Sequence, residues 1–423
     1  LQDEDFQTQS NLYPFLFTPS YMTKVNGMAV TFAMDMAYVF VEKPAGYSVE
    51  EVENILESYE TEDDGSNSGE EELPNIIVIM NEAFSDLAVL GDFTTNEDYM
   101  PFIHSLQEGN ENTITGDLTV SVCGGNTANS EFEFLTGHTM DFFPVGSIPY
   151  QQYIKGEIPS LASLLGNMGY ETYGMHPYGA TGWCRDKVYP WLGFDTSYFI
   201  KDFAPRAYIR DYVSDKTAFN KIIEIYEKEE DEGDEQPLFI FEVTMQNHGS
   251  YSEIHENYTP DIEVEGINNN GLEQYLSLMK VTDSQFERLV EYFSAVEEDT
   301  IIVFFGDHQP SDYIANQIFR LNGINTSKLT EEQALLRYQV PYVIWANYDI
   351  EEATDADRDI SFLAANMMEI ADMETTPYQN FLLELEEVIA SNDGSKEAEE
   401  KVDKYMDMYQ KLQYYYMFDY QEE

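Results

Sequence analysis

The sequence predicts an α/β fold in which a mostly parallel central sheet is flanked by helices. Short apolar runs typical of buried strands alternate with segments of helical periodicity, which is the pattern of a sheet wrapped by helices. The chain of 423 residues, 43% of them hydrophobic, is long enough for one large domain with added segments. The predicted strands are NIIVIM (75–80), ETYGMH (171–176), PLFIFEVTM (237–245), TIIVFFGD (300–307) and VPYVIWA (340–346). The predicted helices span residues 158–169, 217–230, 281–298 and 396–417.

Composition divides the chain into three expected parts. Residues 1–74 predict an N-terminal helical extension that ends in an acidic, Gly/Ser-rich linker at 60–72. Residues 75–375 form the predicted main domain, and residues 376–423 predict a smaller C-terminal helical subdomain packed on it. The start, LQDEDF, has neither an initiator Met nor the apolar run of a signal peptide, so we expect a piece of a longer protein.

The charge of the chain excludes one class of partner. The sequence has 80 acidic and 21 basic residues, a formal net charge of −59. A field of this sign repels the phosphate backbone, so we expect no binding to nucleic acid. No run of 18 apolar residues occurs, so the sequence predicts no membrane span within this chain.

Polar side chains follow four of the predicted strands. They are Glu82, His176, His248 and the pair Asp307-His308. In open α/β sheets, ligands bind outside the carboxyl ends of the strands, so these side chains should gather at one edge. A lone histidine after a strand is usually a packing residue. Four such strand ends together indicate a site.

Three of these residues have the chemistry of cation ligands. Glu82, Asp307 and His308 supply two carboxylates and one imidazole. A ligand set that is mostly oxygen favours Mn²⁺ or Mg²⁺ over an ion that prefers thiolates. The sequence therefore predicts one divalent cation, with Thr127 as the candidate for a fourth ligand.

The stretch SVCGGNTANSEFEFL (121–135) contains three candidate nucleophiles, Cys123, Thr127 and Ser130. Taken alone, it is typical of a glycine-rich turn followed by a helix cap. Thr127 is favoured because it lies at the predicted helix start, where free backbone N–H groups attract an anion. A bound cation also eases deprotonation of a hydroxyl. Cys123 precedes the helix start, and Ser130 lies further along the helix.

Five motifs occur in the order of a known family: PNIIVIMNEAFSDL, GGNTANSEFEFLTG, MHPYGATGWCRDKVYPWLGFD, VTMQNHGSY and FFGDHQPS. Together they resemble the lipoteichoic acid synthase-like phosphoglycerol transferases of the sulfatase/alkaline phosphatase superfamily. KPAGYS (43–48) and YQKLQYYYMFD (409–419) resemble the entry and exit segments of the same family. The resemblance covers residues from about 26 to 420.

The resemblance implies an alkaline phosphatase/sulfatase-like fold and a location at the extracellular face of a bacterial cell membrane, with anchoring helices that this chain lacks. It implies transfer of phosphoglycerol from phosphatidylglycerol to a glycolipid or teichoic-acid-type acceptor, with Thr127 as the nucleophile that carries a covalent intermediate. The implied cation ligands are Glu82, Thr127, Asp307 and His308. The implied substrate-binding residues are His176, Trp183, Arg185 and His248.

Two departures from the family keep other activities open. Ala128-Asn129 follow Thr127 where the best-known members have Ser-Asp, and Pro177-Tyr178 follow the pocket histidine. These changes spare the cation ligands and alter the pocket wall, so single transfer stands beside polymer synthesis. The alternatives are a phosphoethanolamine transferase, a phosphodiesterase or sulfatase of the same fold, and a non-catalytic cell-wall-binding domain.

The resemblance also brings both cysteines near the site. Cys123 precedes the nucleophile, and Cys184 lies between Trp183 and Arg185. In an oxidising extracellular setting, a disulfide between Cys123 and Cys184 would join two loops of the site. This pairing is a hypothesis.

Overall fold

The protein is described from a computed structural model that covers residues 24, 26–35, 41–60, 73–232 and 236–420. An eight-stranded sheet and a two-stranded hairpin contain the strands. The strands are β1 (Asn75–Asn81), β2 (Thr113–Thr119), β3 (Glu171–His176), β4 (Thr196–Phe199), β5 (Tyr208–Ile209), β6 (Tyr212–Val213), β7 (Leu238–Val243), β8 (Thr300–Gly306), β9 (Gln339–Ala346) and β10 (Arg358–Asp359).

Helices connect the strands and cover both faces of the sheet. They are α1 (Met28–Asp35), α2 (Val49–Glu57), α3 (Pro101–Gln107), α4 (Thr127–Thr136), α5 (Pro149–Gln152), α6 (Leu161–Asn167), α7 (Arg185–Trp191), α8 (Asp215–Glu232), α9 (Asn270–Phe293), α10 (Asp312–Leu321), α11 (Glu331–Leu335), α12 (Ile360–Ile370), α13 (Pro377–Ala390) and α14 (Lys396–Tyr414). A single π-helical turn, Tyr415–Asp419, follows α14.

The large sheet has the order β10-β2-β9-β8-β1-β7-β3-β4. From β8 to β4, every neighbouring pair is parallel. Strand β9 runs antiparallel to both β8 and β2. The predicted mostly parallel sheet flanked by helices is thus confirmed, and each of the five predicted strands is present. Strands β2, β4 and β10 extend the sheet and were not predicted.

Alternating side chains of β1 define the two faces of the sheet. Ile76, Val78 and Met80 belong to the apolar core on one face, together with residues of α4, α6 and α12. Ile77 and Ile79 belong to the core on the other face, which contains residues of α8, α9 and α10. Every residue of β1 is buried. A strand covered on both faces is read as a continuous apolar run, and this is why NIIVIM was recognisable in the sequence.

The C-terminal helices form a third apolar core with α2 and α12. Phe381 and Leu385 of α13 pack there with Leu412 of α14 and Val52 of α2. The prediction of a helix at 281–298 was inexact: α9 begins at Asn270, 11 residues before the predicted start, because apolar periodicity continues towards the N-terminus. None of the helices in the described ranges is long and apolar enough to cross a membrane.

Two predicted N-terminal features fall partly or wholly beyond the residues that the structure describes. The described part of the predicted N-terminal helical extension contains α1 and α2, and residues 36–40 lie outside the description. The acidic linker lies outside it from residue 61 to residue 72. The three-part division of the chain stays a prediction.

Candidate active site

The carboxyl ends of β1 and β8 bring Glu82 and Asp307 together. The strands are parallel neighbours in which Asn81 pairs with Gly306, so the next residue of each strand lies at the same edge of the sheet. The backbone N–H of Asp307 donates to the carbonyl of Asn81 at 3.2 Å. The backbone N–H of Ala83 donates to Asp307 Oδ1 at 2.6 Å. These bonds fix the two carboxylates next to each other.

Gly306 is required by the close approach of the chain that follows β1. A Cβ atom at this position would lie 1.8 Å from the carbonyl oxygen of Phe84. Any side chain would therefore push away the segment that contains Glu82. The glycine of the motif FFGDHQPS thus acts through packing, directly before Asp307.

Glu82, Asp307 and His308 form a buried cluster with the chemistry of a cation site. Their candidate ligand atoms all lie within 4.8 Å of one another. His308 Nε2 is 3.2 Å from Asp307 Oδ2 and 3.9 Å from Glu82 Oε1. Neither His308 Nε2 nor Asp307 Oδ2 has a hydrogen-bond partner among the described residues, although both atoms are buried. Buried polar atoms rarely remain unpaired without a ligand or a function.

The tautomer of His308 fits the role of a ligand. His308 Nδ1 is 2.9 Å from the carbonyl oxygen of Gln309, which can only accept a hydrogen bond. Nδ1 therefore carries the proton, and Nε2 presents its lone pair towards the carboxylates. A carbonyl that orients the imidazole in this way is typical of metal-binding histidines.

Burial and charge both act on Glu82. Burial, and then the neighbouring carboxylate of Asp307, raise the pKa of Glu82 to about 8. Two carboxylates in one buried site repel each other unless a proton or a cation lies between them. The residues present therefore fit a divalent cation.

Thr127 is the first residue of α4, and its side chain reaches this cluster. Gly124 and Asn126 adopt the left-handed conformation just before the helix, with φ of 71° at both positions. The hydroxyl of Thr127 donates to Glu82 Oε2 at 3.3 Å. One turn later, the hydroxyl of Ser130 donates to the carbonyl oxygen of Asp307 at 2.6 Å. Ser130 thus anchors the helix to the end of β8, and Thr127 is the candidate nucleophile that faces the cluster.

His176 and His248 lie at the same edge of the sheet. His176 Nδ1 donates to the carbonyl of Val243 at 2.8 Å, and burial lowers the pKa of His176 well below its usual range. His248 lies at the surface, its Nδ1 donates to the carbonyl of Gly249 at 2.7 Å, and partial desolvation by neighbouring residues lowers its pKa. Both rings are therefore neutral at neutral pH, with the lone pair on Nε2. Asp307 acts electrostatically on His248, so the two lie in one neighbourhood.

Arg185 has a buried partner that the sequence did not predict. Its Nε donates to Glu131 Oε1 and Oε2 at 3.0 and 3.1 Å, and its Nη2 also bonds to Glu131. The hydroxyl of Tyr189 donates to Glu131 Oε2 at 3.0 Å. The Nε–Nη2 edge of Arg185 is thus occupied, which leaves the Nη1 end for a ligand. Glu131 lies four residues after Thr127, on the same face of the helix, and this spacing was the available signal.

Trp183 and the two cysteines lie around the site. Trp183 is half-buried in a left-handed conformation with φ of 54°. Cys123 and Cys184 are both free thiols, so the expected disulfide is wrong for this structure. The physical reason is their surroundings: Cys123 lies beside Tyr338, at the entry to β9, whereas Cys184 lies in a turn that packs against α5.

A buried polar network beneath the cluster also escaped sequence reasoning. Asn81 donates to Asp215, and Asn247 donates to Asn81 at 2.8 Å. Thr282 of α9 donates to Asp215 at 2.6 Å. Burial raises the pKa of Asp215 to about 6. The network joins the ends of β1 and β7 to the start of α8 and to the middle of α9, and Asn81 directly after an apolar run was its one visible sign.

The chain belongs to the sulfatase family, whose profile, described as Sulfatase, matches residues 74–373. The predicted membership of the sulfatase/alkaline phosphatase superfamily is confirmed. Among solved structures, the chain is similar to Streptococcus pyogenes phosphoglycerol transferase GacH in complex with sn-glycerol-1-phosphate. The TM-score is 0.73 at 24% identity, over 89% of this chain and 95% of that one. This likeness shows a shared fold.

Two curated relatives add to the comparison. The chain is 31% identical over 375 residues to the "Putative cyclic beta-1,2-glucan modification protein" of Rhizobium meliloti (strain 1021), which covers 87% of this chain and 56% of that protein. It is 24% identical over 306 residues to lipoteichoic acid synthase 1 of Bacillus subtilis (strain 168), over 69% of this chain and 45% of that protein. The chain spans about half the length of the curated relatives it matches.

Proposed function

We propose that this chain is the catalytic domain of a phosphoglycerol transferase that forms a covalent intermediate on Thr127. The observation that carries the proposal is the Thr127 hydroxyl, which lies 3.3 Å from Glu82 Oε2 at the edge of the buried cluster with Asp307 and His308. A nucleophile in contact with a base or a cation ligand is the usual arrangement for covalent catalysis. The similarity to a phosphoglycerol transferase supports the class of reaction.

In the first half of the reaction, Thr127 Oγ1 attacks the phosphorus of phosphatidylglycerol. A bond forms between Oγ1 and phosphorus, and the bond from phosphorus to the diacylglycerol oxygen breaks. The hydroxyl of Thr127 donates to Glu82 Oε2, which accepts its proton, and the departing diacylglycerol oxygen takes a proton from solvent water. The start of α4 directs backbone N–H groups towards the negative phosphate.

The cation ligands in this proposal are Glu82, Thr127, Asp307 and His308, with Mn²⁺ or Mg²⁺ as the ion. When bound, the ion would lower the pKa of the Thr127 hydroxyl and offset the negative charge on the phosphate. Asp307 is held in position by the N–H of Ala83, and His308 is held by the carbonyl of Gln309. Among the described residues, this is the one group of three potential ligands.

In the second half, a hydroxyl of the acceptor attacks the phosphorus, and the bond from phosphorus to Thr127 breaks. The neutral Nε2 atoms of His176 and His248 accept hydrogen bonds from glycerol hydroxyls, or take the proton of the attacking hydroxyl. The Nη1 end of Arg185 contacts a phosphate oxygen. Trp183 closes one side of the glycerol pocket.

The acceptor that we propose is a hydroxyl of a cell-envelope glycan or glycolipid. One curated relative is named for the modification of a glucan and another for the synthesis of lipoteichoic acid, and both kinds of acceptor offer such hydroxyls. We propose that the reaction takes place at the extracellular face of a bacterial membrane, where phosphatidylglycerol is the donor. Nucleic acid is excluded by the charge of −59.

A direct test measures the release of diacylglycerol from a fluorescent phosphatidylglycerol, with the purified chain and Mn²⁺. We expect Thr127→Ala to lower the rate at least about 1,000-fold, because the nucleophile is lost. Cys123→Ala and Ser130→Ala are the matched controls, since each removes another candidate nucleophile, and both should keep measurable turnover. Full turnover by Thr127→Ala would refute the mechanism. Release of diacylglycerol from phosphatidylethanolamine but not from phosphatidylglycerol would favour the phosphoethanolamine alternative, and glycan binding without cation or turnover would favour a binding domain.

A further inference from the structure

A second cavity lies at the opposite end of α4 from Thr127. Its volume is about 400 Å³, and it is formed by the C-terminal end of α4, by α6 and by the C-terminal helices. Ten residues of helix separate the two ends by about 15 Å. Its wall includes Gly137, His138, Glu157, Trp191, Ala365 and Tyr378.

The wall of this cavity selects against charged ligands. Among the described residues of the wall, Glu157 is the single carboxylate and is exposed, and there is no Lys or Arg. An anion would therefore meet no cationic side chain in the described wall, within a chain whose net charge is −59. The rest of the wall is mainly aliphatic and aromatic. Its volume is in the range of small-molecule pockets, about 300 to 1,000 Å³.

One buried nitrogen in the wall needs a hydrogen-bond donor. The hydroxyl of Tyr378 donates its hydrogen to the carbonyl of Gly137 at 2.8 Å. His138 Nδ1 is 2.7 Å from the same hydroxyl oxygen, so Nδ1 must be the donor of that bond. Nε2 of His138 is therefore a lone-pair acceptor. It is buried and has no partner in the described part of the chain.

Aromatic rings hold this imidazole in place. The rings of Phe132, Tyr378 and Tyr416 lie with their centres 5.7, 5.5 and 6.0 Å from that of His138. Burial lowers the pKa of His138 to about 3, so the ring is neutral at all physiological pH values. A neutral hydroxyl of a ligand is a suitable donor to Nε2, because an ammonium would have to be desolvated among these rings.

We propose that this cavity binds a neutral single-chain lipid of the monoacylglycerol type, with a hydroxyl that donates to His138 Nε2 and an acyl chain that packs along the apolar wall. Three observations support this proposal: the mainly apolar wall, the volume of the cavity, and the unpaired acceptor His138 Nε2. The proposal is independent of the transfer reaction, because Thr127 and its cluster lie at the other end of the helix.

The binding test uses a monoacylglycerol with a bromine on its acyl chain, below the concentration at which it aggregates. Bromine quenches tryptophan fluorescence at contact, and Trp191 lies in the wall of the cavity. We expect saturable quenching that Trp191→Phe removes. In a series of chain lengths, each added methylene should tighten binding about fourfold until the cavity is full.

Variants locate the site. Ala365 is buried in the wall, and Ala365→Leu fills space that the chain of the ligand needs, so its binding should weaken at least about tenfold. His138→Phe removes the acceptor and should weaken binding by a similar factor while the fold is checked by circular dichroism. Thr127→Ala should bind as the wild type does, even though it is expected to lose transfer activity. Loss of transfer and loss of lipid binding are thereby separable.

Three results would overturn the proposal. They are the absence of saturable quenching by any chain length, quenching that persists unchanged in both Ala365→Leu and Trp191→Phe, and equal or tighter binding of the carboxylate or trimethylammonium with the same chain. The last result would show that the hydroxyl and His138 Nε2 do not recognise each other.

Discussion

The two ends of α4 meet opposite kinds of chemistry. At its start, Thr127 faces buried carboxylates that repel each other, whereas at its end, Gly137 faces an apolar cavity. Both ends are tied down: Ser130 donates to the carbonyl of Asp307, and the carbonyl of Gly137 accepts from Tyr378 and Tyr409. The unpaired polar atoms at the two ends therefore fit different ligands. The two neighbouring carboxylates at the start of α4 fit a cation, whereas the neutral acceptor at its end, His138 Nε2, fits a neutral hydrogen-bond donor.

The largest expected effect comes from Asp307→Asn at the charged end. The amide oxygen keeps the bond from Ala83 N–H, and the amide nitrogen can donate to His308 Nε2, which is 3.2 Å from the present Oδ2. We expect transfer to fall at least about 1,000-fold, since a cation ligand is lost. The metal-free protein should gain about 1 kcal/mol of unfolding free energy, because repulsion with Glu82 disappears. Rates and chemical denaturation measure the two effects.

The matched control for this change is Asp349→Asn, an exposed carboxylate after β9. It should leave the transfer rate unchanged and should alter the free energy of unfolding by no more than about 0.5 kcal/mol. An Asp307→Asn protein that is less stable than the wild type without metal would show that the two carboxylates do not repel.

The next effect concerns the ion pair between the ends of α4. Glu131→Gln leaves the buried guanidinium of Arg185 without its carboxylate, and we expect a loss of about 3 to 5 kcal/mol of unfolding free energy. The transfer rate should fall as well, because Arg185 is no longer held in place. Urea denaturation of the variant and of Glu287→Gln, an exposed control on α9, provides the measurement. A loss as small as that of the control would mean that the pair does not position Arg185.

The smallest effect is a pH dependence at the apolar end. Burial lowers the pKa of His138 from 6.5 to about 3, so the unfolded chain binds a proton more readily than the folded one. The contribution of His138 to the free energy of unfolding is fully present above pH 6.5 and is lost as the pH falls towards 3. Between pH 6.5 and 5, the wild type should lose about 2 kcal/mol relative to His138→Phe. Denaturation of both proteins at each pH gives the difference.

His104 provides an internal control of opposite sign. Although burial lowers its pKa, hydrogen bonds to Asp86 and Asp98 outweigh burial and raise it to about 9. Stability from this group is present below pH 6.5 and is lost as the pH rises through 9. His104→Gln should therefore differ from the wild type below pH 6.5 and approach it above pH 9. If the free energy of unfolding contributed by His104 and by His138 changed with pH in the same direction, the direction of one of the two pKa shifts would be wrong.

The charged end of α4 was largely predictable from the sequence, and the apolar end was not. Glu82 and Asp307-His308 follow long apolar runs, so strand prediction alone brings them to one edge of the sheet. Thr127 could be ranked above Cys123 and Ser130 because a helix start attracts anions. The single tested element of that ranking, the position of Thr127 at the start of α4, is as predicted.

The remaining features depend on contacts between distant segments. Glu131 meets Arg185 across 54 positions, and His138 meets Tyr378 across 240. The spacing from Thr127 could place Glu131 near the site, but no local pattern identifies the distant partner of either residue. The disulfide hypothesis failed for the same reason, since proximity to one site does not place Cys123 and Cys184 in contact. Strand β10 has two residues and no apolar run, which left it without a sequence signal.

In the proposed reaction, Thr127 at the charged end of α4 carries the phosphoglycerol. The most direct test of this step is intact-protein and peptide mass spectrometry after brief reaction with phosphatidylglycerol and Mn²⁺ in the absence of acceptor. We expect a mass increase of one phosphoglycerol unit, located on the peptide that contains Thr127 and absent from Thr127→Ala. The same increase on the peptide of another residue, or turnover with no adduct at any time point in the rapid-quench series, would contradict it.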